Sequence, residues 1–289
     1  MKPTLKKHSW TVLKITLSVL GFWFAFSKID FHLFRDALSN AQFSLLIVSL
    51  ILYVLSQVVS SYRLQVVLDC VPHKIPFLWN LRLYFQGMAY NLFLPGGIGG
   101  DAYKTIAYAK KSNDKYKPKK YVIPLLGDRL IGLVGIVVLL TISSAFLTKI
   151  SNYGFVRTLL FILTPAGLIV GYWLLKKFYK QYVTVYFLTI GLSIIIQLLQ
   201  LLAVFFIAMS IGLNSVEVMP ILATVFLVST IATAIPVFLG GLGAREIVFA
   251  SMFPIFGFDS EIGVLISILF SLIVVVSSVP GLGLGLVRD

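Results

Sequence analysis

The sequence predicts an all-α, polytopic integral membrane protein with six full spans, two re-entrant helical hairpins and an inverted-topology repeat. Three observations lead there. Of 289 residues, 58% are apolar and only 12% charged, too few polar side chains to clothe a soluble globule. Six apolar stretches, 10–26, 43–68, 121–147, 155–175, 182–213 and 262–287, are each long enough, at about 1.5 Å per residue, to cross a hydrocarbon core of about 30 Å. A Gly/Pro motif also occurs twice, as Pro95-Gly96-Gly97-Ile98-Gly99-Gly100-Asp101 and, behind Pro236, as Gly240-Gly241-Leu242-Gly243-Ala244-Arg245-Glu246. Open sheet is excluded by its unpaired backbone groups in lipid, and the segments lack the alternation of a barrel.

Taken in order, Lys2, Lys6 and Lys7 precede the 10–26 run, and no small-residue cleavage site follows Phe26, so this run is a retained first span rather than a signal peptide. Residues 31–40 mix Phe31, Leu33, Phe34 and Leu38 with Arg35 and Asp36, a pattern that suits a helix lying in the interface. The 43–68 span follows. The segment 76–108 is interrupted by polar residues and by the first Gly/Pro motif, and a lysine run from Lys110 to Lys120 closes it. Spans 121–147, 155–175 and 182–213 come next, then a second interrupted segment at 216–253 and the last span.

Charge placement decides how the interrupted segments run. If each enters and leaves on one face, fourteen lysines and arginines fall on the N-terminal side of the membrane and four on the other, a strong positive-inside bias. Making either segment a plain span would put a lysine-rich loop on the wrong face. The chain then reads as one transmembrane domain, 1–289, built of two repeats, about 1–150 and 151–289. Each repeat holds three spans and one hairpin, so the second is inserted upside down and the two glycine-rich tips meet near the midplane. Both termini are expected in the cytoplasm.

The net charge of +13 is thereby explained by topology, and nucleic acid is not expected as a partner. Cys70, the single cysteine, and the scattered His8, His32 and His73 offer no disulfide and no metal site. No Ser/His/Asp set, P-loop or dinucleotide fingerprint is present. No cofactor, metal or catalytic residue is expected.

Candidate ligand-binding residues lie on the two hairpins and on the spans beside them. Trp79, Asn80, Arg82, Tyr84, Gln86 and Asn91 crowd one arm of the first hairpin, and facing lipid they would be costly. Gly96, Gly97 and Gly99 permit close backbone approach, and the helix that starts near Asp101 offers an N-terminus suited to phosphate. In the second hairpin Gly240, Gly241 and Gly243 precede Arg245, fitted to a bidentate grip on phosphate, and Glu246, read as its neutralising partner when the site is empty. Arg63, Asp128 and Arg129 are read either as cavity residues or as structural ion pairs, Lys104 as an i,i+3 partner of Asp101, and Gln197 and Gln200 as sharing one helix face.

The run Asn91 to Asp101, the stretch Asp128-Arg129-Leu130-Ile131-Gly132-Leu133, and Pro236 with the second glycine motif together resemble the lysylphosphatidylglycerol synthase transmembrane-region family. That family includes the flippase domain of the bacterial multiple peptide resistance factor. Its members often carry Glu-Arg where this chain has Asp128-Arg129, a charge-preserving change. The resemblance implies a protein of the bacterial inner membrane that moves an anionic, aminoacylated or polyprenyl-linked lipid between leaflets. Lysyl-lipid synthesis is not expected, because the soluble aminoacyltransferase domain of the resistance factor has no counterpart before Asp289.

The partner is therefore expected to be a membrane phospholipid or lipid-linked sugar, with homo-oligomerisation left open. Two alternatives stand beside this reading. One is an intramembrane transferase acting on a lipid-linked substrate with Asp101 or Glu246 as base; the other is a non-transporting scaffold for a soluble lipid-modifying enzyme.

Overall fold

The computed structural model describes residues 41–71, 74–93, 99–112, 119–147, 154–234 and 243–283, together with Arg35 and Ser39. The expected first span, most of the interfacial segment, and both motif tips with Gly96, Gly97, Gly240 and Gly241 lie outside the described residues. Within them the chain is helical and contains no strand. The α-helices are α1 Phe43–Leu68, α2 Phe77–Phe93, α3 Gly99–Lys111, α4 Lys119–Ala145, α5 Gly154–Phe178, α6 Tyr186–Ser210, α7 Val218–Ala234, α8 Ala244–Met252 and α9 Ser260–Gly283. Short 3-10 turns, Lys180–Val185 and Pro254–Phe256, lead into α6 and follow α8.

Five of these helices are long and apolar enough to cross a membrane: Phe43–Leu68, Lys120–Ala145, Arg157–Lys177, Lys180–Ser210 and Ser260–Gly281. They match the five expected spans that the described residues cover. By contrast α2 and α7 have 17 residues each, α3 has 13 and α8 has 9. At about 1.5 Å per residue, α3 and α8 are too short to cross the hydrocarbon core.

The most extensive helix pairing is α1 with α6. Lipid tails are as apolar as leucine, so this pairing rests on close approach and hydrogen bonds rather than on expulsion of water. Ser49 Oγ donates to the Ala203 carbonyl at 2.8 Å, and Gln200 Nε2 donates to Ser56 Oγ at 3.3 Å. Around this pair α2 packs on α9 and α7 on α4, while α2 with α3 and α7 with α8 form the two hairpins. A large apolar core joins Tyr53 of α1, Val204 and Ile207 of α6, Phe226 of α7, Phe249 of α8 and Phe270 of α9. A smaller one, with Leu64, Leu83, Tyr108 and Tyr121, ties the first hairpin to α1 and α4.

Helix α5 stands apart. It packs mainly on α4 and the following 3-10 turn, and the apolar window of its span buries nothing inside the protein, as fits a helix whose neighbours are lipid. Cys70, just past α1, is half-buried, and burial together with the adjacent Asp69 pushes its thiol up from the usual cysteine range.

Candidate functional site

A cavity of about 420 Å³ opens among the middles of α1, α4, α6 and α9, where the inner ends of both hairpins reach it. Its walls mix polar and apolar side chains at helical spacing. Helix α1 contributes Tyr53, Gln57, Ser60 and Arg63, and α4 contributes Arg129, Gly132, Leu133 and Ile136. Helix α6 presents Ile196, Gln197 and Gln200, and α9 presents Phe270, Ser271 and Val274. The first hairpin adds Tyr84 and Asn91 from α2; the second adds Thr230, Thr233 and Ala234 from α7, and Arg245 from α8. A volume of this size lies within the range of ordinary ligand sites.

Two ion-pair groups organise the side formed by the first half. Arg63, 7% exposed, makes a fork-to-fork contact with Asp128, its Nε donating to Oδ1 at 2.8 Å and its Nη2 to Oδ2 at 2.9 Å. Its Nη1 donates to Ser193 Oγ on α6 at 2.8 Å. Gly132 leaves the room for this guanidinium, since a Cβ there would stand 3.3 Å from Arg63 Nη1. The pairing is bidentate and buried, the arrangement in which such a pair offsets its desolvation best.

Asp101, in the first turn of α3, takes the Lys104 ammonium at 2.9 Å and the Nε–H of Arg129. Lys104 is itself buried, with its ammonium 4.6 Å from the centre of the Tyr84 ring. The expected i,i+3 contact is thus present, and Arg129 joins it from α4. At the same helix end Asn91 Oδ1 accepts the Gly100 N–H at 2.8 Å, so α2 supplies the cap of α3 from across the hairpin.

The second hairpin is built differently. Gly243 precedes α8 with φ +88°, a conformation open to glycine, and Glu246 Oε2 accepts its N–H at 2.8 Å. Glu246 Oε1 accepts the Ser271 hydroxyl at 2.8 Å. Both carboxylate oxygens are therefore engaged by neutral donors, and the expected neutralisation of Arg245 takes no salt-bridge form. The reason is geometric: neighbours on a helix point about 100° apart. The Arg245 guanidinium lies instead against Phe270 at 4.4 Å and Phe226 at 5.6 Å, with its Nε buried and without a hydrogen-bond partner.

Of the residues singled out from sequence, Arg63, Asn91, Arg129 and Arg245 line the cavity, and Asp101, Asp128 and Glu246 hold or flank them. Gly99 and Gly243 sit where α3 and α8 begin. Arg82 goes elsewhere: it is exposed and shares its face of α2 with Leu78, four residues earlier and 68% exposed. Neighbouring Asn80 and Gln86 are buried, Asn80 donating to the Ser61 carbonyl at 3.0 Å.

Several lining residues were not singled out from the sequence. Tyr53, Gln57 and Ser60 follow one another at i, i+4 and i+7, a periodicity that reads as a polar stripe within an apolar span. Thr230 and Thr233 gave no such signal, because threonine is equally at home bonding its own helix, as both do here. Among the described residues no cluster of three or more His, Cys, Asp or Glu side chains gathers as a metal would require.

A family model described as Lysylphosphatidylglycerol synthase TM region matches residues 11–185 and 175–281 of the chain. No curated protein matches it.

Proposed function

Since the chain belongs to the Lysylphosphatidylglycerol synthase TM region family, we propose that it is a flippase-like lipid transporter of the bacterial inner membrane. An anionic, aminoacylated or polyprenyl-linked lipid would place its headgroup in the central cavity while its acyl chains stay in the bilayer. The observation that carries this reading is Arg245, a cation lining a partly polar cavity amid apolar helices, with no ion-pair partner among the described residues. A buried charge without a counter-ion is expensive, and within a membrane such groups mark ligand pathways. The cations around the cavity, Arg63, Lys104, Arg129 and Arg245, exceed the carboxylates Asp101, Asp128 and Glu246 by one. One phosphate restores neutrality.

The inverted repeat supplies the motion in this reading. Exchanging the halves maps α1 onto α6, the pair α2–α3 onto α7–α8, and α4 onto α9. The packing partners exchange with them, α2 on α9 becoming α7 on α4. This correspondence, with hairpin helices too short to span, supports re-entrant hairpins and a rocking of one repeat against the other. A phosphate bound by Arg245 would share its cavity with Arg129, and drawing Arg129 from Asp101 would break the charged contact between α3 and α4. Asp101 would keep Lys104 as its counter-ion.

The test is flipping of fluorescent phosphatidylglycerol in proteoliposomes, read by quenching from one side. The intact protein is expected to expose label well above protein-free vesicles, and Arg245→Ala to fall to the protein-free rate while inserting normally. Undiminished flipping by Arg245→Ala would overturn the assignment.

A further inference from the structure

A second cavity, of about 260 Å³, lies behind α4 and shares no residue with the first. Helix α4 separates the two. Arg129, Gly132, Leu133 and Ile136 face the polar cavity, while Ile123, Leu126, Gly127 and Leu130 face the other. Both sets follow the spacing i, i+3, i+4, i+7, offset by about 120° around the helix. The rear cavity is closed by Leu175 and Tyr179 at the end of α5 and by Val67 at the end of α1. Its wall is apolar apart from the tyrosine hydroxyls.

The C-terminal ends of α1 and α5 and the N-terminal half of α4 meet here, beside α5, the span that buries least. A Cβ added at Gly127 would meet no atom within 4 Å, so the protein leaves this wall unfilled. In contrast, Gly132 and Gly135 of the same helix are packed against Arg63 and Ser193. A void beside close-packed helices forfeits dispersion contacts unless something fills it.

Exposed lysines neighbour the crevice lining along the chain. Lys176 and Lys180 directly follow the lining residues Leu175 and Tyr179, and both are exposed. Trp173, 55% exposed, lies 4.9 Å from the Lys177 ammonium, and tryptophan with lysine is the pairing that marks a headgroup level. An apolar crevice with exposed lysines next to its lining residues in the chain combines the two features of a phospholipid site, and basic pockets between membrane helices bind anionic headgroups.

We propose that this crevice is a binding site for an anionic phospholipid, one acyl chain lying against Gly127 of α4 and the phosphate resting at Lys176 and Lys180. This lipid is not the transported one. It wedges α4 from behind, and α4 carries Asp128 and Arg129, so occupancy stiffens the wall on which both ion-pair groups of the central cavity depend. Lipid would occupy this crevice whether or not the central cavity transports anything.

The experiment uses the full-length protein in vesicles that contain phosphatidylglycerol or phosphatidylcholine with a photoactivatable acyl chain, followed by peptide mapping. Phosphatidylglycerol is expected to label the peptides spanning 123–131 and 175–185, with labelling lost in Gly127→Leu and retained in Arg245→Ala. Lys176→Ala and Lys180→Ala are each expected to weaken phosphatidylglycerol labelling roughly fivefold at low salt while leaving phosphatidylcholine labelling unchanged. Equal labelling by the two lipids in the intact protein, or labelling that survives Gly127→Leu, would overturn the proposal. So would cross-linking of two copies through Tyr179 with no lipid label there, which would make the occupant a second chain. Because the lysine variants leave the helices intact, the charge arm reads out even if Gly127→Leu fails to fold.

Discussion

In the first hairpin the residue after the paired glycines is Asp101, clasped by Lys104 from its own helix and by Arg129 from α4. At the same place in the second motif stands Arg245, resting on two phenylalanine rings, while its neighbour Glu246 is spent on the Gly243 N–H and the Ser271 hydroxyl. The caps differ in the same sense. Asn91 reaches across the first hairpin to close α3, whereas α8 is closed by its own third residue. Two copies of one motif have thus been given different work. The first is locked to its surroundings by charge; the second keeps its charge facing the cavity.

Breaking the lock is therefore expected to damage folding most. Asp101→Ala leaves the buried Lys104 without its counter-ion, and removing one member of a buried pair costs about 3–5 kcal/mol. The expected outcome is a large fall in the thermal midpoint of the detergent-purified protein, recovered in part by the double substitution Asp101→Ala with Lys104→Met. A fall no larger than that of a surface alanine would show that the triad is not a lock.

The next effect concerns how closely the arms of the first hairpin approach. A Cβ at Gly100 would collide with the Gly87 carbonyl oxygen, whereas the matching position in the second motif already carries a methyl group, at Ala244. Gly100→Ala is therefore expected to destabilise by about 1–3 kcal/mol through overpacking. Ala244→Gly should lose about 1–2 kcal/mol, from helix propensity and one buried methyl group. A Gly100→Ala loss no larger than that of Ala244→Gly in the same thermal assay would erase the distinction between the hairpins.

How much of this could be read from the chain depended on distance along it. The five spans within the described residues emerged from local hydropathy, and the Asp101–Lys104 contact from i,i+3 spacing, because both signals sit within a few residues. Arg63 with Asp128 and Asp101 with Arg129 are 65 and 28 residues apart; their residue types announced charge in a membrane but not which charge meets which. Arg82 was singled out by chemistry alone, without its phase around α2, and phase puts it beside Leu78 on the outward face. Adjacent Arg245 and Glu246 invited pairing, yet α-helical geometry turns them toward different neighbours. The two faces of α4 were written in the sequence at regular spacing. Telling which face was polar cavity and which apolar crevice required knowing what lay opposite each.

A smaller effect is expected at Glu246. Glu246→Gln keeps the shape but replaces two charge-assisted bonds with neutral ones, about half as strong. The N-terminus of α8 should lose about 1 kcal/mol, the usual scale of a cap, seen as a modest drop in thermal midpoint. If Glu246 instead served chiefly to neutralise Arg245, the substitution would also strand that cation, and the loss would approach the Asp101→Ala value.

The smallest effect on stability is expected at the residue with the largest effect on transport. Arg245→Ala removes desolvated ring contacts worth about 2 kcal/mol, but it also relieves the desolvation of a cation that has no ion pair, and Glu246 keeps both of its neutral donors. The two changes oppose each other, so the thermal midpoint should stay within about 1 kcal/mol of the parent while lipid flipping vanishes. Arg245→Lys separates charge from shape: a point charge cannot make the two-pronged contact of a guanidinium with phosphate, so flipping should return only in part. Full recovery with lysine would mean that the second hairpin supplies only a potential, and a large loss of stability in Arg245→Ala would mean that it too is a lock, leaving the two hairpins alike.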